Sequence, residues 1–210
     1  MAILSFASGK QPHRPRSAVR LGALLGVGAS VLVFGAWLLW SVLRPAPPGF
    51  APTAGASAAA APGILQYTVD ATDHERWVYF DFSSGAVGST APVSLDWDIA
   101  FRRTAVLTNG GATNPRGMSG AADLGETLLQ DAVPPPDGFL EDAAQENGGV
   151  ENPALRKWYS YSLVTHVVSS KKHIYAVRSA EGEVFLLAFV SYYCDDGSSG
   201  CITFRYRRAD

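Results

Sequence analysis

Residues 95–111 read LDWDIAFRRTAVLTNGG. Leu95, Trp97, Ile99 and Phe101 alternate with Asp96, Asp98 and Ala100, the period-two pattern of a strand with one apolar face. Ala105, Val106, Leu107 and Thr108 make a second short strand, closed by the turn residues Asn109, Gly110 and Gly111. Upstream, Arg76-Trp77-Val78-Tyr79-Phe80-Asp81-Phe82 is aromatic and β-branched. Downstream, residues 173–179, Glu181-Gly182 and residues 184–193 read as a β-hairpin. A second turn over residues 195–200 leads to a last strand over residues 202–207. These signals predict an all-β, mostly antiparallel domain over residues 64–210.

Within that domain the pattern fades between Asn109 and Pro153, where Gly, Asn, Asp and Pro are frequent. Residues 137–144 there have the look of a short helix with Asp137 as N-cap. So long a stretch without regular structure is the expected place for a ligand or partner contact. Cys194 and Cys201 flank the last turn symmetrically, and they are the only two cysteines. In an oxidising compartment they would close that turn as a disulfide. A metal pair and a thiol redox pair are the alternatives, and the absence of CxxC spacing weighs toward the disulfide.

Outward on the N-terminal side the composition changes. The chain has 210 residues with 17 Lys+Arg and 19 Asp+Glu, a net charge of −2. No acidic residue precedes Asp70. Lys10, Arg14, Arg16, Arg20 and Arg44 make residues 1–44 +5, which leaves 12 basic and 19 acidic residues, −7, in the remainder. The acidic folded part argues against a nucleic-acid face. Between Arg20 and Arg44 lie 23 uncharged residues, 21–43. As a helix they would rise about 34 Å, enough for a ~30 Å hydrocarbon core and too long for a signal-peptide core. The expectation is an uncleaved single transmembrane helix in a bacterial inner membrane. Residues 1–20 would be a cytoplasmic basic tail and residues 64–210 periplasmic, by the positive-inside bias. Trp37 and Trp40 would then mark the outer membrane interface. Gly22, Gly26 and Ser30 recur every four residues and predict a face for packing against another membrane helix. Residues 45–63, PAPPGFAPTAGASAAAAPG, carry five prolines and no charge, and read as a semi-extended tether.

The blocks DWDIAFRRTAVLTNGG (residues 96–111), THVVSSKKHIYAVRSAEGEVFLLAFVSYY (165–193) and GCITFRYR (200–207) resemble the HmuY family of bacterial haem-binding β-proteins. The likeness covers residues 64–210. It implies an antiparallel β-fold and raises haem as a cofactor. Haem iron needs His, Met, Cys or Tyr ligands. The domain offers His74, His166, His173 and Met118, of which His166, His173 and Met118 are the candidate haem ligands.

No catalytic or metal motif is present: GxSxG, HExxH and phosphate-binding glycine loops are absent. Asp195-Asp196-Gly197 lacks EF-hand spacing. Asp96 and Asp98 share a strand face, and ion pairing with Arg102 and Arg103 outweighs a cation site or acid–base pair. A non-enzyme is therefore expected. Two functions compete. The leading one is an accessory subunit that stabilises a larger membrane complex, photosynthetic or respiratory, with lipid and other transmembrane subunits as partners. The alternative is a membrane-tethered haem-binding protein.

Overall fold

A computed structural model describes residues 16–43, 45–59, 61–88 and 91–209, with helix side chains at residues 25–41 and 43. The chain divides into two units, residues 1–45 and 46–210. The first contains one helix, α1 (Arg16–Leu43). Most of its described side chains are apolar and exposed, Leu32 and Val33 among them. Among the described residues no helix is long and apolar enough to cross a membrane. The crossing expected over residues 21–43 is thus not supported by the structure. Residues 1–15 of the expected basic tail lie outside the described residues.

The second unit is built from strands β1 (Ser57–Ala58), β2 (Leu65–Asp70), β3 (Val78–Asp81), β4 (Ala86–Gly88), β5 (Ile99–Arg102), β6 (Ala105–Thr108) and β7 (Gly120–Glu126), then β8 (Ala143–Ala144), β9 (Val150–Glu151), β10 (Tyr159–Tyr161), β11 (Val168–Ser170), β12 (His173–Arg178), β13 (Val184–Tyr193) and β14 (Ser199–Arg208). A six-stranded sheet has the order β1-β2-β14-β13-β12-β7. A four-stranded sheet has the order β4-β3-β5-β6, and β8–β9 and β10–β11 are separate pairs. All these pairings are antiparallel.

Alternation decides which faces meet. Tyr67 and Val69 of β2, Ile202, Phe204 and Tyr206 of β14, and Leu187 and Phe189 of β13 point to one side. They pack on Phe80, Ile99, Phe101 and Val106 of the smaller sheet. Aromatic pairs such as Phe101–Phe204, stacked at 5.3 Å, and Phe80–Phe204, edge-on at 5.1 Å, join the sheets. The opposite face of the large sheet, Ile174, Ala176 and Leu186, is covered by Leu129 and Ala132.

The 95–101 stretch departs from simple alternation. Leu95 and Asp96 are exposed, while residues 97–101 are buried on both sides: Trp97 and Ala100 pack with Leu107, and Ile99 and Phe101 with the main core. Asp98 is 1% exposed and makes no ion pair with Arg102 or Arg103. Its carboxylate accepts hydrogen bonds from Phe82 N at 2.9 Å and Ala180 N at 2.8 Å, which ties the end of β3 to the β12–β13 turn. Arg102 instead stacks over Trp77. Arg103 donates to Thr72 O, Ser199 O and Ser199 Oγ. The carboxylate has backbone donors to satisfy it, so it needs no cation.

Residues 109–153 hold no helix: residues 137–144 bend, and end in β8. Asp142 there is buried, and a carboxylate that accepts from Thr108 N, Thr108 Oγ1, Thr113 Oγ1 and Asn152 Nδ2 competes with helix formation. The disulfide Cys194–Cys201 is present, with Cα atoms 4.8 Å apart, and closes the β13–β14 turn.

The expected tether also differs. From Pro48 to Ala59 it lies along the sheets as a strap: Phe50 N donates to Tyr193 O at 3.0 Å, Thr53 N to Thr68 O at 3.0 Å, and Ala56 N to Gly85 O at 2.7 Å. Its last residues pair with β2 as β1. The prolines remove donors but leave carbonyls, and Gly49 and the alanines leave room for close approach.

Candidate functional site

β12 stops pairing with β13 at Ile174↔Ala188, while β13 continues to Tyr193. An edge is left open there, and a bare edge invites a partner. Two segments approach it. The strap bridges Gly49 to Tyr193 in parallel, and Ser191 Oγ donates to Pro48 O. β11 approaches from the other hairpin, where Val168 N donates to the Tyr193 hydroxyl at 2.9 Å. Between them lies a cavity of ≈ 420 Å³, walled by Pro47 and Pro48, Val168 and Ser170, Lys172, and Phe189. That size falls within the range of small-molecule sites, and the walls are mostly apolar with few polar groups.

His166 and His173 bracket this wall in sequence. His166 sits in the β10–β11 turn with φ 53°, a left-handed conformation that histidine adopts more readily than most side chains. Its Nδ1 is 2.6 Å from the Tyr161 hydroxyl. His173 opens β12, directly after Lys172. Its Nδ1 meets both carboxylate oxygens of Asp123, at 2.9 and 3.0 Å. In both rings the bonded nitrogen is Nδ1. A carboxylate on Nδ1 fixes the tautomer and turns Nε2 into the ligating nitrogen, the arrangement found behind metal-bound imidazoles.

Tyr175 stands two residues along the same face, 6.3 Å from His173 between ring centroids and edge-on to Phe189 at 5.6 Å. It is 1% exposed and its hydroxyl has no hydrogen-bond partner. Burial and the nearby Asp123 carboxylate push the phenol well above its ordinary range, so it remains a neutral donor. A buried donor without an acceptor is a place where a ligand's oxygen would be favoured.

The structure does not bring Met118 to the histidines. Gly120 pairs with Arg178 and Glu126 with His173, at opposite ends of the β7–β12 ladder. Met118 lies beyond the Gly120 end, where its carbonyl accepts from Arg178 Nε at 2.7 Å. The length of β12, about 17 Å, separates it from His173, too far for one iron. His74 is exposed. Among the described residues no group of three His, Cys, Asp or Glu side chains could hold a metal ion by themselves.

The residues that the sequence alone did not single out are Asp123, Tyr175, Lys172 and the prolines of the strap. Alternation along residues 173–177 is the signal for Tyr175, because it puts His173 and Tyr175 on one face. Nothing local marks Asp123, which lies 50 residues from His173.

A family model described as HmuY protein matches residues 73–206. Solved structures share the fold at low identity. A candidate lipoprotein of Bacteroides fragilis is 23% identical with a TM-score of 0.58, covering 76% of this chain and 97% of its own. The apo form of an HmuY analogue from Tannerella forsythia is 19% identical with a TM-score of 0.57, covering 69% and 95%. A protein of Bacteroides vulgatus described as HmuY-like and haem-binding is 21% identical with a TM-score of 0.55, covering 74% and 97%. No curated protein sequence matches the chain.

Proposed function

The chain belongs to the HmuY family, and from that premise we propose that it is a non-catalytic haem-binding protein held at a bacterial envelope membrane. The observation that carries the reading is His173 itself, whose Nδ1 is held by Asp123, which leaves Nε2 as the ligating nitrogen; its neighbour Tyr175 packs on Phe189 of the cavity wall. When bound, haem would bring a redox-active iron that takes an axial imidazole. This chain's own residues do the holding. His173 is the assigned ligand, and Asp123 orients it and raises its basicity. Phe189 and Val168 exclude water, and Lys172 is placed to meet a carboxylate of the ligand. Tyr175 keeps its proton as a hydrogen-bond donor inside the site. His166 is the second candidate ligand, oriented by Tyr161.

Membrane attachment is part of the proposal. The exposed apolar side chains of α1, Leu25, Val31, Phe34 and Leu39, favour lipid over water, with Trp37 and Trp40 at the interface and the β-unit on the periplasmic side. The accessory-subunit reading has less support. Ser30 Oγ donates to Gly26 O at 2.9 Å within α1, so the strip of Gly22, Gly26 and Ser30 satisfies its own hydroxyl without a second helix.

Titration of the full chain in mild detergent with haemin tests the function. A saturating Soret shift is expected. His173→Ala should weaken binding by at least about tenfold, and Asp123→Ala by about 10–100-fold through the unheld ring. Absence of any Soret shift in the wild type sinks the haem reading. Equal affinity in wild type and His173→Ala sinks the ligand assignment.

A further inference from the structure

Charge is unevenly spread over the β-unit. Residues 152–180 contain no Asp or Glu and carry Arg156, Lys157, Lys171, Lys172 and Arg178, +5. The rest of residues 45–210 holds 7 basic and 19 acidic residues, −12. Arg156 is paired with Glu151 at 2.9 Å, and Arg178 lies 4.0 Å from Glu141. Among the described residues Lys157, Lys171 and Lys172 enter no ion pair. These three flank the β10–β11 hairpin, so its base is a basic spot on an acidic unit. An anionic surface attracts that spot and repels the remainder, which leaves one way for the unit to approach it.

The far end of the same hairpin is apolar. Leu163 is 81% exposed and Val164 62%, next to Tyr161, and none of the three belongs to a core cluster. The turn that presents them satisfies its own backbone: Ser162 N donates to Val167 O at 2.9 Å, and His166 N to Ser162 O at 2.8 Å. Lys171 follows Ser170, the partner of Tyr159 at the base of the ladder. Three residues, about 10 Å of strand, separate that level from the turn at Ser162. From tip to base the order is therefore aliphatic, aromatic with a hydroxyl, then cationic. A bilayer surface has the matching order of acyl chains, interface and phosphates. With the tip sunk about 5–10 Å, the depth of interfacial elements, the lysines stand within a Debye length, about 8 Å, of the phosphates. Resting on the envelope-membrane reading, we propose that the tip of the β10–β11 hairpin is a docking surface for an anionic phospholipid bilayer, a contact beyond the attachment assigned to α1.

The experiment places a nitroxide on Val164→Cys in the full chain, where both native cysteines are tied up in their disulfide. The chain is reconstituted in vesicles of phosphatidylcholine, alone or mixed with phosphatidylglycerol. Flotation of the vesicles reports attachment, and relaxation of the nitroxide by oxygen against a water-soluble nickel complex reports the depth of the tip. The expected result is a tip buried in the phosphatidylglycerol mixture and wet in phosphatidylcholine. Lys157→Gln with Lys171→Gln should lower the ratio of buried to wet tips by about 25-fold, about fivefold per charge, and high salt should act in the same direction. Leu163→Ser should lower it by more than about tenfold. If the lysine variant does not fold, the salt titration of the unsubstituted lysines carries the test of charge. A wet tip on floating phosphatidylglycerol vesicles overturns the docking surface and leaves the attachment by α1 standing. Equal burial in both vesicle types, unmoved by salt, overturns the anionic partner. A tip that becomes shielded only when haemin is added belongs to the haem site, and that overturns the inference too. No flotation on either vesicle overturns the membrane reading, and the docking surface with it.

Discussion

Residues 109–153 and the β10–β11 hairpin invert the usual relation between regular structure and order. The first region has long irregular stretches, yet Asn109, Asn114, Asp142 and Asn152 are all buried in it. Asn109 donates to Ser94 O and Trp97 O and accepts from Asn114; Asp142 and Asn152 bond each other and Thr108. The hairpin has three registered pairs, Tyr159↔Ser170 to Tyr161↔Val168. Yet Tyr161, Leu163 and Val164 at its tip are 48%, 81% and 62% exposed. Buried polar side chains hold the irregular region, whereas the regular one is held by its ladder, by Tyr159 and Val168 against the core and by one bond from Val168 N to the Tyr193 hydroxyl, with its tip exposed. A buried donor whose acceptor is removed carries the full desolvation penalty, so such a network locks a loop more firmly than a short exposed ladder locks a hairpin. The cavity wall of Val168, Ser169 and Ser170 belongs to the less tied region.

The largest effect that would test this contrast is at Asp142. Asp142→Ala takes the acceptor from Thr108 N, Thr108 Oγ1 and Thr113 Oγ1, and leaves Asn152 Nδ2 with Leu140 O. The expected loss is about 3–5 kcal/mol of unfolding free energy, read from urea midpoints. Hydrogen-exchange protection should vanish first across residues 109–153. A loss under about 1 kcal/mol would mean that the network is ornamental and that the two regions do not differ in kind.

Asp98 applies the same device between the two sheets and sharpens the contrast through pH. Burial pushes its carboxyl up to about 6, against the two backbone N–H groups that pull it down. The native state therefore holds this proton more tightly than the unfolded chain does. The group costs nothing below about pH 4, where both states are protonated. Its charge weighs against folding progressively as pH rises through about 6, by roughly 3 kcal/mol in all. Asp142 is shifted the same way by its own burial. Asp73 and Asp196 are exposed and shifted down by turn hydrogen bonds, so they pull weakly in the other direction. Urea unfolding at pH 4.5 and pH 7 should show Asp98→Asn losing part of the acid-side advantage seen in the wild type. An identical pH slope in both would mean that Asp98 does not carry that advantage.

What the sequence made legible follows the same division. The β12–β13 and β13–β14 hairpins and the Cys194–Cys201 bridge could be read because alternation and turn residues are local properties. Asp98 could not: a buried carboxylate looks like a surface one until Phe82 and Ala180 arrive from distant chain to satisfy it. The strap was hidden by its composition, since prolines and alanines carry no periodicity while Pro48 and Phe50 still offer one carbonyl and one N–H to β13. Of the site, His166 and His173 were visible as residue types. The cavity and Asp123 were not, because tertiary contact across many residues assembles them.

The smallest effect belongs to the hairpin tip, and it separates order from use. Leu163 and Val164 are exposed and belong to none of the core clusters. Changing both to Ser should move stability by no more than about 0.5 kcal/mol. Tyr161→Phe removes the hydroxyl at the His166 ring and should likewise leave the unfolding midpoint in place, because both groups face water. If His166 ligates haem, however, the freed imidazole samples more orientations, and haemin affinity should fall by about tenfold at constant stability. Should affinity also stay constant, His166 is an ordinary turn histidine and His173 is the ligand that this chain contributes alone. Should stability fall by more than about 1 kcal/mol, the hairpin is held by more than its ladder, and the contrast with residues 109–153 narrows.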